Sequence, residues 1–353
     1  MKGFGVIKTP KTGWIEKKKP SLKGNDAILR PIALAPCSSD THSAHGGAGV
    51  KENLILGHEA VAEVVEVSSE IKRFKKGDVV VVPCVTPDWN EVGLQDRNIN
   101  NAHDSSFMGS FKFLNSKDGS FAEFFHVNNA DANLVHLPKN VTVDQALMTC
   151  DMMSTGFYGV ENARVKFGDN VVVIGIGPVG LMAVAGAKLQ GAGHIIGVGT
   201  RPNCVELAKK YGASEIINYK EGPVDEQVKE LFPNGIDSVI IAGGNANSIN
   251  QALRMVKPNG FISNVNYFDS KDTISFPTLE WGLGMGDISI VGGFCPGGAK
   301  RIERLLNMIA NKRVDPSLLL NKSYDGFEKI EDAFNIMHEK PRDLIKPVVH
   351  IKW

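Results

Sequence analysis

The sequence has no excess of either charge, since 39 lysines and arginines face 39 aspartates and glutamates. That balance removes the electrostatic grounds for a nucleic-acid partner or an anionic membrane surface. Cysteine is scarce, five in all and therefore odd in number, at positions 37, 84, 150, 204 and 295 with no close-set framework. Full disulfide pairing is thus excluded, and a reducing cytoplasm is expected, with the thiols acting as core residues or metal ligands. The opening MKGFGVIKTPKTGWIEKKKP has neither the apolar run of a secretory signal nor the Arg/Ser-rich pattern of a transit peptide. The uncharged stretch 171–187 is shorter than the ~20 residues that span a bilayer and is broken by Gly-Ile-Gly-Pro, so no membrane segment is expected. Internal repeats and low-complexity tracts are also missing.

What is present fits a soluble α/β protein: 353 residues, enough for two domains with a core each, 42% hydrophobic residues and 37 glycines. The stretch 171–201, VVVIGIGPVGLMAVAGAKLQGAGHIIGVGTR, organises the rest. It reads as a β-branched strand, a glycine turn, a small-residue helix and a second apolar strand. Gly175, Gly177 and Gly180 stand in G-x-G-x-x-G spacing, in which the first glycine permits the turn, the second lets the backbone approach a pyrophosphate, and the third lets the helix pack on the strand. Pro178 suits a first helical turn, and the helix N-terminus offers N–H donors to phosphate. A glycine pattern alone is weak evidence; the strand, helix and strand around it make a dinucleotide site the preferred interpretation over a structural turn.

An NAD-binding fold places an acid about 20 residues after the glycines, on the ribose 2′-hydroxyl. Here Gly199, Thr200 and Arg201 occupy that place. No carboxylate repels a 2′-phosphate and a guanidinium can pair with one, so NADP is expected; the alternative is that Arg201 is a solvated loop residue.

Four more strand-like runs, 215–218, 237–242, 260–265 and 288–292, alternate with helical segments 204–211, 224–232 and 247–256. With the two strands of the glycine unit they number six, which predicts a doubly wound parallel sheet over about 154–295. Residues 1–35 read as short strands, as do 60–67, 77–83 and 121–127, with 135–138 closing this part. A long polar loop is expected over 86–120. The spacing predicts helices over 144–160, 299–312 and 330–339 and a last strand over 345–351. The tail is too short for a domain of its own and is expected to complete the N-terminal unit.

Metal chemistry is suggested by PCSSDTH and LGHEA, which offer Cys37 and His58. Cysteine and histidine suit first-row metals, but two donors 21 positions apart are no zinc signature; taken alone, Cys37 also reads as a small buried hydrophobe and His58 as a core histidine. Asp151 sits among apolar neighbours, where a carboxylate is costly unless paired or bound to a cation, so ligand and helix cap are both open.

Taken together, MKGFG, GWIEKK, PCSSDTH, ILGHEAV, VPCVTPDW, DMMSTGFYG, VVVIGIGPVGLM, IIGVGTRP, INYK, MVKPNG, CPGG and KPRDLIKPVV run end to end through the chain. In these motifs it resembles the zinc-dependent medium-chain alcohol dehydrogenases, in particular the tetrameric NADP-dependent secondary alcohol dehydrogenases of anaerobic bacteria and protists. The resemblance implies a GroES-like β-rich catalytic domain, 1–153 completed by 296–353, and a Rossmann domain, 154–295. It implies one catalytic Zn²⁺ per chain on Cys37, His58 and Asp151 with Glu59 able to approach as a fourth ligand, and a proton path through Ser39 and His42. For NADP it implies Gly175, Gly177, Pro178, Val179, Gly180, Gly199, Thr200, Arg201, Tyr219 and Tyr267, with Thr200, Arg201 and Tyr219 at the 2′-phosphate. The implied reaction interconverts secondary, and more slowly primary, alcohols with ketones and aldehydes in a cytoplasmic homotetramer. Two alternatives are a zinc-free quinone reductase-like enzyme and a non-catalytic NADPH-binding protein. Three features depart from or qualify the pattern. Cys150 precedes Asp151, and cysteine is the ligand in other branches. The four-cysteine structural zinc loop is missing, as in this subfamily. Phe111 and Phe294, with Cys84 and Val85, fall at pocket positions, the two phenylalanines where relatives tend to have tryptophan and leucine.

Overall fold

The structure is a computed structural model that describes residues 1–47, 52–92, 94, 111–114, 116–268 and 273–353. The chain divides into two compact units, Met1–Ser154 with Pro296–Trp353, and Thr155–Cys295.

The first unit opens with β1 (Lys2–Lys8) and β2 (Lys11–Glu16), then β3 (Ala27–Leu34), α1 (Ser38–Ala44), β4 (Leu54–Ile55), β5 (Ala60–Val67), β6 (Val79–Val82), β7 (Phe125–Val127), α2 (Ala130–Asn133), β8 (Val135–His136) and α3 (Val143–Leu147). Strand β3 runs unbroken through Pro31, because that residue falls where the β3–β5 register shifts. A proline is tolerated at such an irregularity, where a ladder bond is already missing. Part of the expected loop over 86–120 lies outside the described residues. Its described end is not polar throughout, since Phe111, Phe113 and Leu114 are buried.

The helix predicted over 144–160 is two helices, α3 and α4 (Met152–Asn162). The carbonyl of Cys150 accepts the backbone N–H of Cys84 at 3.0 Å instead of continuing an intrahelical ladder. A tertiary hydrogen bond thereby outweighs helix propensity, and Asp151 sits in the break.

The second unit contains most of α4 and then β9 (Asn170–Ile174), α5 (Pro178–Gln190), β10 (His194–Val198), α6 (Pro202–Tyr211), β11 (Glu215–Ile217), α7 (Val224–Leu231), β12 (Ile236–Ile241), α8 (Asn247–Met255), β13 (Val256–Asn264) and β14 (Ser289–Gly292). All six strands are parallel, in the order β11-β10-β9-β12-β13-β14. The order reverses between β9 and β12, so the crevice beyond their carboxyl ends is the switch point of a doubly wound sheet. Val172, Ile174, Ile196, Val239 and Ile241 form the core of the sheet. Helix α5 has no polar face, and its residues from Gly180 to Ala187 are buried.

The chain then rejoins the first unit through α9 (Ala299–Ala310), β15 (Leu320–Asp325), α10 (Ile330–Glu339) and β16 (Lys346–His350). Strand β16 pairs antiparallel with β3 and parallel with β15, extending the order β15-β16-β3-β5-β6-β8. Helix α9 buries Ile302, Leu305, Leu306 and Ile309, the face expected from its periodicity. No helix among the described residues is long and apolar enough to cross a membrane.

Truncating Leu305, which is 2% exposed, to alanine is expected to cost about 3 kcal/mol in urea unfolding. Arg304→Ala on the exposed face should cost under about 0.5 kcal/mol. Equal losses would show that α9 is not held by this face.

Candidate active site

Four metal-type donors, Cys37, His58, Glu59 and Asp151, each bring a donor atom to within 4.8 Å of the others. They come from the start of α1, the segment between β4 and β5, and the break between α3 and α4. Cys37 is the N-cap of α1, and Asp40 reaches back to accept its backbone N–H at 2.8 Å. The thiol is left to face Asp151, with Sγ 3.7 Å from Oδ2. Gly57 holds the turn before His58 at φ +94°, and a Cβ there would run into the Phe121 ring.

Asp40 is the organiser that sequence patterning missed. Fully buried, it takes Gly57 N–H on Oδ1 at 3.0 Å and lies 3.3 Å from His58 Nδ1 through the same oxygen. A carboxylate on Nδ1 orients the ring and leaves Nε2 as the donor toward the cluster. Nε2 is 3.3 Å from Asp151 Oδ2 and 3.3 Å from Ser39 Oγ. The Phe111 ring packs edge-on against His58 at 5.4 Å.

These separations suit one small cation. With zinc–oxygen and zinc–nitrogen bonds of about 2.0 Å and a zinc–sulfur bond of about 2.3 Å, tetrahedral edges are roughly 3.3 Å between N and O and 3.5 Å between S and O. The observed edges are 3.3 Å for His58 to Asp151 and 3.7 Å for Cys37 to Asp151. Glu59 is fully buried with its Oε1 accepting from Lys346 Nζ at 2.8 Å, and among the described residues its Oε2 has no hydrogen-bond partner.

Cys150 does not compete for this place. Its Sγ turns to the carbonyl of Ala60 at 3.5 Å, and burial, with Glu59 adding, pushes the thiol well above its ordinary pKa. The carboxylate of Asp151, not that thiol, faces the donors. His42 lies one turn along α1 from Ser39, exposed, and its pKa is lowered by burial of part of the ring and by the charges of Lys340 and His45.

The glycine turn of the second unit has the geometry its spacing requires. Gly175 is at φ +88° with a hypothetical Cβ only 2.6 Å from Gly243 Cα, and a Cβ on Gly180 would strike the carbonyl of Gly175. Gly177 caps α5 with Pro178 at its first turn, followed by Val179; the nearest atom to a Cβ on Gly177 is Arg201 Nη2 at 3.6 Å. The guanidinium therefore lies beside the mouth of the turn. Thr200 Oγ1 donates to Tyr219 OH at 3.4 Å, so Thr200, Arg201 and Tyr219 share one rim beyond β10. Tyr219 and Tyr267 are both exposed. A Cβ on Gly199 would enter the Ile176 side chain.

In sequence and in fold the chain is similar to known zinc-type alcohol dehydrogenases. Residues 178–311 match the family described as zinc-binding dehydrogenase, and residues 23–139 the alcohol dehydrogenase GroES-like domain. The chain is 55% identical to an NADP-dependent isopropanol dehydrogenase of Thermoanaerobacter brockii and 53% identical to one of Clostridium beijerinckii, each over 99% of both chains. Among solved structures, an alcohol dehydrogenase from Thermus sp. ATN1 superposes with a TM-score of 0.88 at 27% identity, covering all of both chains.

Burial works against a charged His58, but Asp40, Asp151 and Cys37 outweigh it and hold the imidazolium well above its ordinary pKa. A metal must displace that proton, so affinity should rise with pH and binding should release protons. Titrating the metal-free protein with Zn²⁺ at pH 6 and pH 8 tests this: tighter binding at pH 8 is expected, and equal affinity would exclude His58 as a donor.

Proposed function

Since the chain belongs to the zinc-dependent medium-chain alcohol dehydrogenases, we propose that it interconverts secondary alcohols and ketones, and more slowly primary alcohols and aldehydes, with NADP(H). The observation that carries this is the convergence of one thiol, one imidazole and one carboxylate, with Asp151 Oδ2 at near-tetrahedral spacing from both other donors. A zinc ion there supplies the Lewis acidity that lowers the pKa of an alcohol hydroxyl, and NADP supplies the hydride acceptor. Cys37, His58 and Asp151 hold the metal, and Glu59 stands by as a fourth donor. Asp40 keeps the His58 ring oriented.

Ser39 accepts the proton of the alcohol and passes it to His42, whose depressed pKa lets it release that proton to water. Phe111, buried against His58, forms an apolar wall for a small substrate. Gly175, Gly177 and Gly180 admit the pyrophosphate to the N-terminus of α5, and Thr200, Arg201 and Tyr219 receive the 2′-phosphate. Val179, Gly199 and Tyr267 complete the cofactor contacts. Neither a zinc-free quinone reductase nor a non-catalytic binder accounts for the donor cluster.

We further propose a homotetramer working in the reducing cytoplasm, where five free cysteines are stable. Strand β14 ends the six-stranded sheet with Val291 37% exposed, and Leu279, Leu283 and Met285 nearby in sequence are 75%, 63% and 79% exposed. An open strand edge beside exposed apolar residues suits pairing between copies. Light scattering should give four times the chain mass of 38.2 kDa; a monomer would refute the assembly.

Steady-state rates with 2-propanol and acetone test the reaction. Asp151→Ala and Cys37→Ser should each lose zinc and at least about 10³-fold in kcat while NADPH binding survives, a loss of several kcal/mol in charge stabilisation. Full rate after exhaustive metal removal would refute the proposal. Arg201→Leu should lower kcat/KM for NADPH by about 10- to 100-fold and leave NADH unchanged, the value of a charge-assisted hydrogen bond. Equal effects on both cofactors would remove Arg201 from the 2′-phosphate.

A further inference from the structure

Beyond the end of β6 at Val82 the chain runs through Cys84, Val85, Thr86 and Pro87, all buried and all outside any strand. This segment borders the reaction centre. Cys84 donates its backbone N–H to the carbonyl of Cys150 at 3.0 Å, and its Sγ lies within 4.8 Å of a carboxylate oxygen of Asp151. A substrate bound beside Asp151 therefore meets Cys84 as part of its wall.

Two buried asparagines hold the segment in place. Asn128 follows β7, and Asn133 ends α2. Asn128 Nδ2 donates to the carbonyl of Thr86 at 3.2 Å and to that of Pro87 at 3.0 Å, while its Oδ1 accepts the Thr86 hydroxyl at 3.2 Å. Lys117 Nζ donates to the same Oδ1 at 3.1 Å, which fixes the way the amide is turned. Asn133 Nδ2 donates to the Pro87 carbonyl at 3.0 Å and to the Asn128 carbonyl at 2.8 Å, and its Oδ1 accepts the indole N–H of Trp89 at 3.0 Å. Buried carbonyls outside a sheet need donors. Here both donors are short, stiff amides that converge on one peptide stretch, so they fix its path as well as satisfy it.

We infer that Asn128 and Asn133 are positioning residues for the substrate wall: by holding Thr86 and Pro87 they set where Cys84 stands beside Asp151, and with it the size of secondary alcohol accepted. The inference rests on the reading of the chain as a secondary alcohol dehydrogenase.

Asn128→Asp separates positioning from bulk. The new side chain has the same shape and gains Lys117 as an ion-pair partner, yet a carboxylate has no N–H to give to Thr86 and Pro87. Steady-state rates with NADP⁺ are measured on 2-propanol and 2-hexanol, together with bound zinc, for the parent, Asn128→Asp, Asn133→Ala and Cys84→Ala, the last of which trims the wall directly. The kcat/KM ratio of 2-hexanol to 2-propanol should rise about 10-fold in both asparagine variants, as in Cys84→Ala, within the range that fit to an apolar pocket confers. Zinc content and the KM for NADP⁺ should stay within about 2-fold of the parent, since neither depends on this wall. Should one asparagine variant fail to fold, the other decides. A ratio that rises by less than about 2-fold, including an equal fall in kcat/KM for both alcohols, shows that the amides only support the fold and overturns the inference. A parent enzyme without turnover on either alcohol instead overturns the reading on which it rests.

Discussion

Three carboxylates, those of Asp40, Glu59 and Asp151, crowd one imidazole inside the N-terminal unit, and Asp40 and Glu59 are fully shielded from water. Unpaired buried charge costs several kcal/mol, so each must find a partner. Asp40 is neutralised locally by two backbone N–H groups and the His58 ring. Glu59 meets Lys346, which the chain delivers only 287 positions later, after a passage through the second unit. The return of residues 296–353 to the first unit is therefore an electrostatic requirement as well as a way to lengthen a sheet. What remains after these pairings is a thiol, an imidazole nitrogen and Asp151, a set of donors close enough together to hold one metal ion.

How much of this was legible in the sequence depended on how local each constraint is. The glycine turn was readable residue by residue because its demands involve neighbours: Gly175 bends at positive φ, and Gly180 touches Gly175. The six alternating strands and the amphipathic face of α9 were readable for the same reason, since periodicity reports directly on burial. The metal donors were not readable by spacing, because three separate elements supply them and no short pattern can encode their meeting. Resemblance to a family supplied the ligand set, and the geometry then brought those residues together.

The elements that patterning missed have physical explanations of the same kind. Helix α1 contains no apolar period; it forms because Asp40 caps the N–H of Cys37 and Thr41 donates to the carbonyl of Ser38. The break at residues 148–151 arises from a hydrogen bond to Cys84, 66 positions away, which no local window detects. Lys346 sits in KPVV and would pass for a solvated charge at the start of a strand. Only the fold shows that it is fully buried against Glu59.

Cofactor choice shows attraction and packing acting in one place. An acid at position 199 would be the usual means of binding a 2′-hydroxyl, yet any side chain there must displace Ile176, which follows Gly175 at the turn itself. The missing carboxylate is thus tied to the packing of the glycine unit and is more than a preference of the rim. Arg201 is the N-cap of α6 and extends to within reach of Gly177, so the same geometry that bars an acid leaves room for a cation over the mouth of the turn. Converting this site to a 2′-hydroxyl binder requires a smaller side chain at 176 together with an acid at 199, because the acid alone would be accommodated only by moving the residue that shapes the turn.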